Sequence, residues 1–176
     1  MSYCGPSSQS LNMIHMYDFA DLRSCEPPKF VPNEKSLMWY ITNNSELSKF
    51  KRIIDRANLF PTLSNIQGNC TLFIPTNAYL ENYNEDFFSR LDVGSARQIV
   101  NCTVIDRFID KDIITALPVG YYTTRNKQNR MYVTNISGQT ELNDRARIVQ
   151  YNICLNNGMI HIIDNLLIPT ECHYLN

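Results

Sequence analysis

The sequence has no long apolar run, no excess of charge of either sign and no recognisable catalytic signature, and each absence removes a class of function. A membrane-spanning helix needs roughly 18 consecutive apolar residues. The best run here, Met159-Ile160-His161-Ile162-Ile163, is far shorter and carries a histidine, so no membrane span is expected. Sixteen basic residues against 17 acidic ones leave a formal net charge of -1. The basic excess of a nucleic-acid binder is missing, and no nucleic acid partner is expected. The start, Met1-Ser2-Tyr3-Cys4-Gly5-Pro6-Ser7-Ser8, has neither the basic opening nor the apolar stretch of a secretory signal, and it lacks the Met-Gly start of myristoylation. Either the chain is a processed fragment with a new Met, or it never enters the secretory pathway. The second reading is the expectation, and it places the protein inside the cell.

Catalytic and metal-binding patterns are equally scarce. GxSxG, Walker, GxGxxG and HExxH patterns are absent. The six cysteines, at 4, 25, 70, 102, 154 and 172, form no CxxC pair, which argues against a zinc site of ordinary spacing. Most are expected to act as small buried hydrophobes, with Cys4 and Cys25 the best candidates for a bridge. Cys172-His173 reads as plain tail. The histidines are His15, His161 and His173. A Cys102–His161 pair formed in space is one enzymatic possibility; a buried thiol and a core histidine with satisfied ring nitrogens is the reading adopted. Asp106, Asp110 and Asp112 lack the pattern of a calcium loop and read as surface charge. No enzyme activity, cofactor, metal or small-molecule substrate is expected. Four Asn-x-Ser/Thr sequons, at Asn43, Asn69, Asn101 and Asn135, carry little weight among 20 asparagines, and Asn69 and Asn101 adjoin segments expected to be buried.

What is present is a 176-residue chain with 44% hydrophobic and 19% charged residues, enough apolar material for one packed domain. Residues 1–35 are rich in Ser, Pro and Asn and read as an extended N-terminal arm, with a possible helical turn over Leu11–Phe19 and extended backbone over 26–33, where Pro27-Pro28 and Pro32 exclude helix. Ser36 reads as a helix cap before Leu37, Met38, Tyr40 and Ile41. Asn43 with Glu46 has the form of a loose capping box. Leu47, Phe50, Ile53, Ile54 and Ala57 recur at helical spacing, with Lys49, Lys51, Arg52 and Arg56 on the other, solvated side. Thr71–Ile74 reads as a buried strand stopped by Pro75, with Thr76 or Asn77 capping the next helix. Further helical turns are read around Phe87, Phe88 and Leu91 and from Ser95. The last third turns to strands: Tyr121–Thr124 and Met131–Thr134 as a hairpin, a strand around Ile148–Ile153, and Met159–Asp164 after a turn at Asn156-Asn157-Gly158 whose residues tolerate positive φ. Residues 171–176 read as a C-terminal tail. Helices first and strands later predict an α+β fold.

Two stretches resemble the signatures of the fasciclin I domain family. Thr71-Leu72-Phe73-Ile74-Pro75-Thr76-Asn77 resembles the first, Thr-hydrophobic-Phe-x-Pro-Thr-Asn. Asn157-Gly158-Met159-Ile160-His161-Ile162-Ile163-Asp164-Asn165-Leu166-Leu167-Ile168-Pro169 resembles the closing one, Asn-Gly-x-Ile-His-x-Ile-Asp-x-x-Leu-x-Pro. The resemblance covers roughly 36–170 and implies a fasciclin-like domain, with helices packed on a sandwich or wedge of short strands. It implies that Thr71, Phe73, Pro75, Thr76, Asn77, Asn157, Gly158, His161, Asp164 and Pro169 maintain the fold, while ligand contacts lie on variable surfaces. The family often carries a Tyr-His pair between the signatures, linked to integrin-dependent adhesion; the aligned place here is Cys102-Thr103, which weakens that inference.

The expected function is a non-enzymatic protein–protein interaction module built into a larger assembly, such as a minor capsid protein in the virion of a large DNA virus. The alternative is a secreted or cell-surface adhesion domain that binds matrix or receptor proteins. The expected partners are other proteins, neighbouring chains of an assembly. Tyr3, Tyr17, Phe19 and Phe30 in the arm are the aromatic contact candidates, with Arg125, Lys127 and Arg130 at the hairpin tip behind them.

Overall fold

Ser36 opens the first helix as its position predicts. Its Oγ accepts a hydrogen bond from Trp39 N at 3.1 Å, and α1 runs over Leu37–Asn43. The computed structural model describes residues 17–18 and 35–175. In place of the capping box predicted at Asn43, a single side-chain cap is made one residue later, by Asn44. Asn44 has the extended backbone a cap needs, and its Oδ1 accepts from Glu46 N; Asn43 instead ends α1, donating Nδ2 to Trp39 O at 2.9 Å. The helix predicted beyond it divides into a 3-10 turn, Ser45–Leu47, and α2, Ser48–Arg56. Leu47, Phe50, Ile53, Ile54 and Ala57 are all buried. The basic face is solvated as read, with Arg52 and Arg56 exposed and Lys49 and Lys51 half-buried, and Lys51, Arg52 and Arg56 have partners. Lys51 pairs with Asp55, Arg52 makes a two-pronged contact with Glu85 at 2.8 and 3.0 Å, and Arg56 Nε donates to Leu91 O.

The remaining helices are α3 (Phe60–Ser64), α4 (Glu85–Arg90), α5 (Val93–Asn101) and α6 (Lys111–Ile114). The strands are β1 (Tyr17–Asp18), β2 (Thr71–Pro75), β3 (Val104–Ile105), β4 (Val119–Thr123), β5 (Arg130–Ile136), β6 (Gln139–Leu142), β7 (Ala146–Leu155) and β8 (Gly158–Ile163). They form one sheet in the order β1-β4-β5-β6-β7-β8-β2-β3, parallel between β1 and β4 and between β2 and β8.

The ten-residue β7 is where this sheet bends into a wedge. Its first residues pair with β6, and Ile148 to Leu155 pair with β8 across two register shifts. Asn152 lies within the irregular stretch at φ 63, the backbone signature of a bulge that turns a strand. The bend creates two cores. Leu72, Ile74, Ile160 and Ile162 face the helices and meet Phe50, Ile53 and Ile54; Phe73 and Ile163 face into the wedge and meet Tyr122, Met131, Val133, Leu142 and Ile148. β2 and β8 are thus buried on both faces, which is why each reads as a continuous apolar run rather than an alternating one. β5 begins with the opposite pattern, exposed and buried residues in turn. The α+β architecture matches the one expected.

The turn expected at Asn156-Asn157-Gly158 is present, Asn156 and Asn157 linking β7 to β8, with none of the three at positive φ; positive φ falls at Ser137-Gly138 and Asn143-Asp144, which link β5 to β6 and β6 to β7, among other positions. Two local expectations are corrected. The C-terminal stretch is no free tail: Thr170–Leu175 forms 3-10 turns kinked at Cys172, and the apolar Cys172 and Leu175 complete the helix-side core. In the arm, Tyr17–Asp18 is a strand rather than part of a helical turn, because the edge of β4 offers extended backbone a ladder; Tyr17 pairs with Gly120 and Asp18 with Tyr121. Tyr3, Phe19, Phe30, a Cys4–Cys25 bridge and the extended 26–33 stretch lie outside the described residues.

Candidate functional site

The two signature stretches run side by side as β2 and β8, with Phe73 opposite His161, and their polar residues act as ties between distant segments. Thr71 Oγ1 donates to Arg107 O at 2.6 Å and accepts from Ile109 N at 2.9 Å. His161 is fully buried. Its Nδ1 accepts from Asn152 N at 3.0 Å in the β7 bulge, which leaves the proton on Nε2, 2.7 Å from Ile109 O. Phe73 and Tyr151 pack on its ring at centroid distances of 5.3 and 5.7 Å. Burial pushes the imidazole pKa down to about 4, against a smaller opposing pull from the Ile109 bond. Asp164 Oδ1 accepts from Arg147 N, and the buried Pro169 starts the closing turn, its carbonyl accepting from Cys172 N.

Thr76 occupies the cap position of the 3-10 turn Asn77–Leu80 but makes no side-chain cap bond. Asn77 does not cap its own turn either. Its Oδ1 accepts from Lys49 N at 2.9 Å, and its Nδ2 donates to Ser45 O and Ser48 Oγ, so it is the start of α2 that it holds. Asn77→Ala should therefore destabilise the domain by about 2 kcal/mol and Thr76→Ala by only a few tenths, read from urea denaturation midpoints. Asn157 works in the same way: its Oδ1 accepts from Leu37 N at 2.8 Å and its Nδ2 donates to Ile66 O. Gly158 faces a close approach, since a Cβ built on it would lie 2.4 Å from Cys70 O.

These contacts do not assemble a catalytic group. His161 binds Asn152 and Ile109, whereas Cys102 Sγ contacts Ile99 O and Leu167 O. Burial raises the Cys70 thiol to about 12 and Cys154 to about 11, far from a thiolate at neutral pH. Cys70, Cys102, Cys154 and Cys172 are not in disulfides. Asp106 pairs with Arg125 at 2.7 Å and Asp110 caps α6 through Ile113 N, so two of the three clustered acids have structural duties. Among the described residues no group of three or more His, Cys, Asp or Glu could hold a metal ion, and no helix is long and apolar enough to cross a membrane. Cys102 and Thr103, at the aligned place of the integrin-linked pair, are buried, so neither side chain is presented to a receptor.

Exposed large apolar side chains among the described residues include Trp39, Phe60, Tyr79, Val93 and Val149 on other elements, and Tyr132 and Ile136 on the outer face of β5. Tyr132 and Ile136 point outward, 44% and 67% exposed. Tyr121 sits beside Tyr132 at 6.2 Å, with the Arg130 guanidinium 4.3 Å above the Tyr121 ring. The same face runs into an open cleft of about 630 Å³, lined by Arg130, Tyr132, Thr134, Asp144 and Pro169 among others. Sequence reasoning missed Tyr132 and Ile136. Their alternation along a strand with Met131 and Val133 was the available signal.

The sequence profile of the fasciclin domain matches residues 45–169. No curated protein matches the chain in sequence. Among solved structures, a FAS1 domain pair from the insect cell adhesion molecule fasciclin I superposes with a TM-score of 0.65 at 13% identity, over 79% of this chain and 52% of that one. The chain thus spans about half the length of that pair. The profile match covers most of the chain and both tied signatures, and the chain belongs to the fasciclin domain family, whose members are typically protein-interaction and adhesion modules.

Proposed function

We propose that this chain is a non-enzymatic interaction module that docks to other proteins of a larger assembly through the outer face of β4 and β5. The observation that carries the reading is the row Tyr132, Thr134, Ile136 on one side of β5, with Tyr132 and Ile136 exposed and Thr134 and the adjacent Tyr121 half-buried, while every apolar residue of β2 and β8 is buried. Aromatic rings give contact area at low ordering cost, and the neighbouring Arg130 supplies a polar edge. The specific form of assembly we propose is a virus particle of a large DNA virus, in which the chain is a minor capsid component among repeated neighbours.

The test is the size of the native complex. In extracts of its source, the full chain should sediment well above 20.4 kDa, and Tyr132→Asp with Ile136→Asp should reduce it to the single-chain size while leaving circular dichroism unchanged. Sedimentation of the unaltered chain as a monomer would defeat the proposal.

An adhesion role on the cell surface is the second reading, favoured by the exposed sequon asparagine Asn69. Asn135 is a poor acceptor. Its Nδ2 is held by Ile114 O and Leu117 O at 2.9 and 2.7 Å, and a glycan there would displace at least one of them. Intact mass of native material decides between the readings, since glycosylated Asn69 supports adhesion.

A further inference from the structure

We infer that the edge of β4 is a strand-exchange site, whose occupant in an assembly is the Tyr17–Asp18 strand of a second copy of this chain. This rests on the assembly reading above and names one of its partners. The strand β4 presents five residues, Val119–Thr123, to β5 on one side and only two, Gly120 and Tyr121, to β1 on the other. An open sheet edge is a template for any extended backbone, and here the template is already used by a segment remote in sequence.

The connection permits both routes. Sixteen residues, 19–34, separate Asp18 from Lys35, whose carbonyl accepts from Asn156 N beside the β7–β8 turn. Extended, that connection reaches about 55–60 Å. Crossing from β1 to β7 in the sheet order spans four strand spacings, about 19 Å, and the run along β7 from Ala146, where β6 pairs, to Asn156 adds about 33 Å, so the direct span is about 35–40 Å. The connection exceeds that span by about half, enough to hold its strand on its own edge or on that of a closely apposed neighbour. The main-chain ladder is the same in either case, so the choice is set by local concentration. For a connection of sixteen residues the effective concentration within one chain is on the order of 1 mM. Dilute chains keep their own strand, and chains packed side by side exchange.

Two full-length variants test this, Asp18→Cys and Tyr121→Cys. Paired strands bring their Cα atoms within disulfide reach. The two are mixed under oxidised glutathione at about 10 µM and at about 1 mM, and the linkage between positions 18 and 121 is read by peptide mapping. The expected result is a heterodimer joined 18–121 whose yield rises at least tenfold with concentration. A single chain carrying both substitutions should link to itself at the lower concentration. No 18–121 heterodimer at the higher concentration overturns the exchange, and no self-linkage in the double variant overturns the β1–β4 contact. Both failures leave the sedimentation result free to stand, so they are distinct from failure of the assembly reading.

Discussion

Acidification from pH 7 to 5 should remove about 2 kcal/mol of stability through His161 alone, and about 3 kcal/mol by pH 4. The imidazole is fully buried, accepts from Asn152 N and donates to Ile109 O. Protonation would put a charge in a site closed to solvent and would replace an accepting nitrogen by a donor facing another donor. Its pKa in the fold is accordingly about 4, below the ordinary 6.5. The unfolded chain therefore binds the proton first as pH falls. The stabilisation is complete above pH 6.5 and disappears as pH drops through the interval to 4. Urea titrations at pH 7, 6, 5 and 4.5 measure it. His161→Leu should lose about 3 kcal/mol at pH 7, because Asn152 N and Ile109 O are left unpaired, and the difference between variant and parent should shrink as pH falls. Parallel curves for the two proteins between pH 6.5 and 5 would refute the assignment.

Gly158→Ala should cost about 3 kcal/mol, lowering the melting temperature by about 10 °C. The added methyl would meet the Cys70 carbonyl at 2.4 Å and Leu37 Cδ1 at 2.7 Å. The leucine can rotate aside. The carbonyl cannot, because it accepts from Met159 N at 2.8 Å as β8 begins. Relief requires β8 to move away from β2, and Asn157, which holds the start of α1, would move with it. Gly68→Ala is the control: nothing lies within 4 Å of its added Cβ, and its effect should stay within about 0.5 kcal/mol. Equal melting temperatures for the two alanine variants would show that the close approach is tolerated.

The parts of this fold that could be read in advance are those in which a residue acts on its own neighbourhood. Pro75 ends a strand wherever it stands, Ser36 caps the helix that follows it, and a histidine within an unbroken apolar run has to find partners inside. The capping asparagine was misplaced because Asn43 and Asn44 are chemically identical and only the backbone separates them. Asn77 and Asn157 were recognised as signature residues, but their work is done on Lys49 and Leu37, 28 and 120 positions away, and no local pattern points there. Gly158 was read as a turn residue, whereas its conformation is ordinary and the constraint comes from a carbonyl in another strand. The strand at Tyr17–Asp18 is two residues long, too short for any periodicity. The outward residues of β5 were hidden by the attention a hairpin draws to its inward ones.

The bond between Leu37 and Asn157 also constrains the order of events during synthesis. It spans 120 positions, and β2 has β8 as its parallel neighbour. While a ribosome is still translating the β-rich half, the early helices have no sheet to rest on, and β2 has one flank bare. Loops this long are closed late and slowly. The nascent chain must therefore remain competent, with its apolar segments uncovered, until the closing signature clears the exit tunnel, which makes this domain a natural client of chaperones that shield emerging chains.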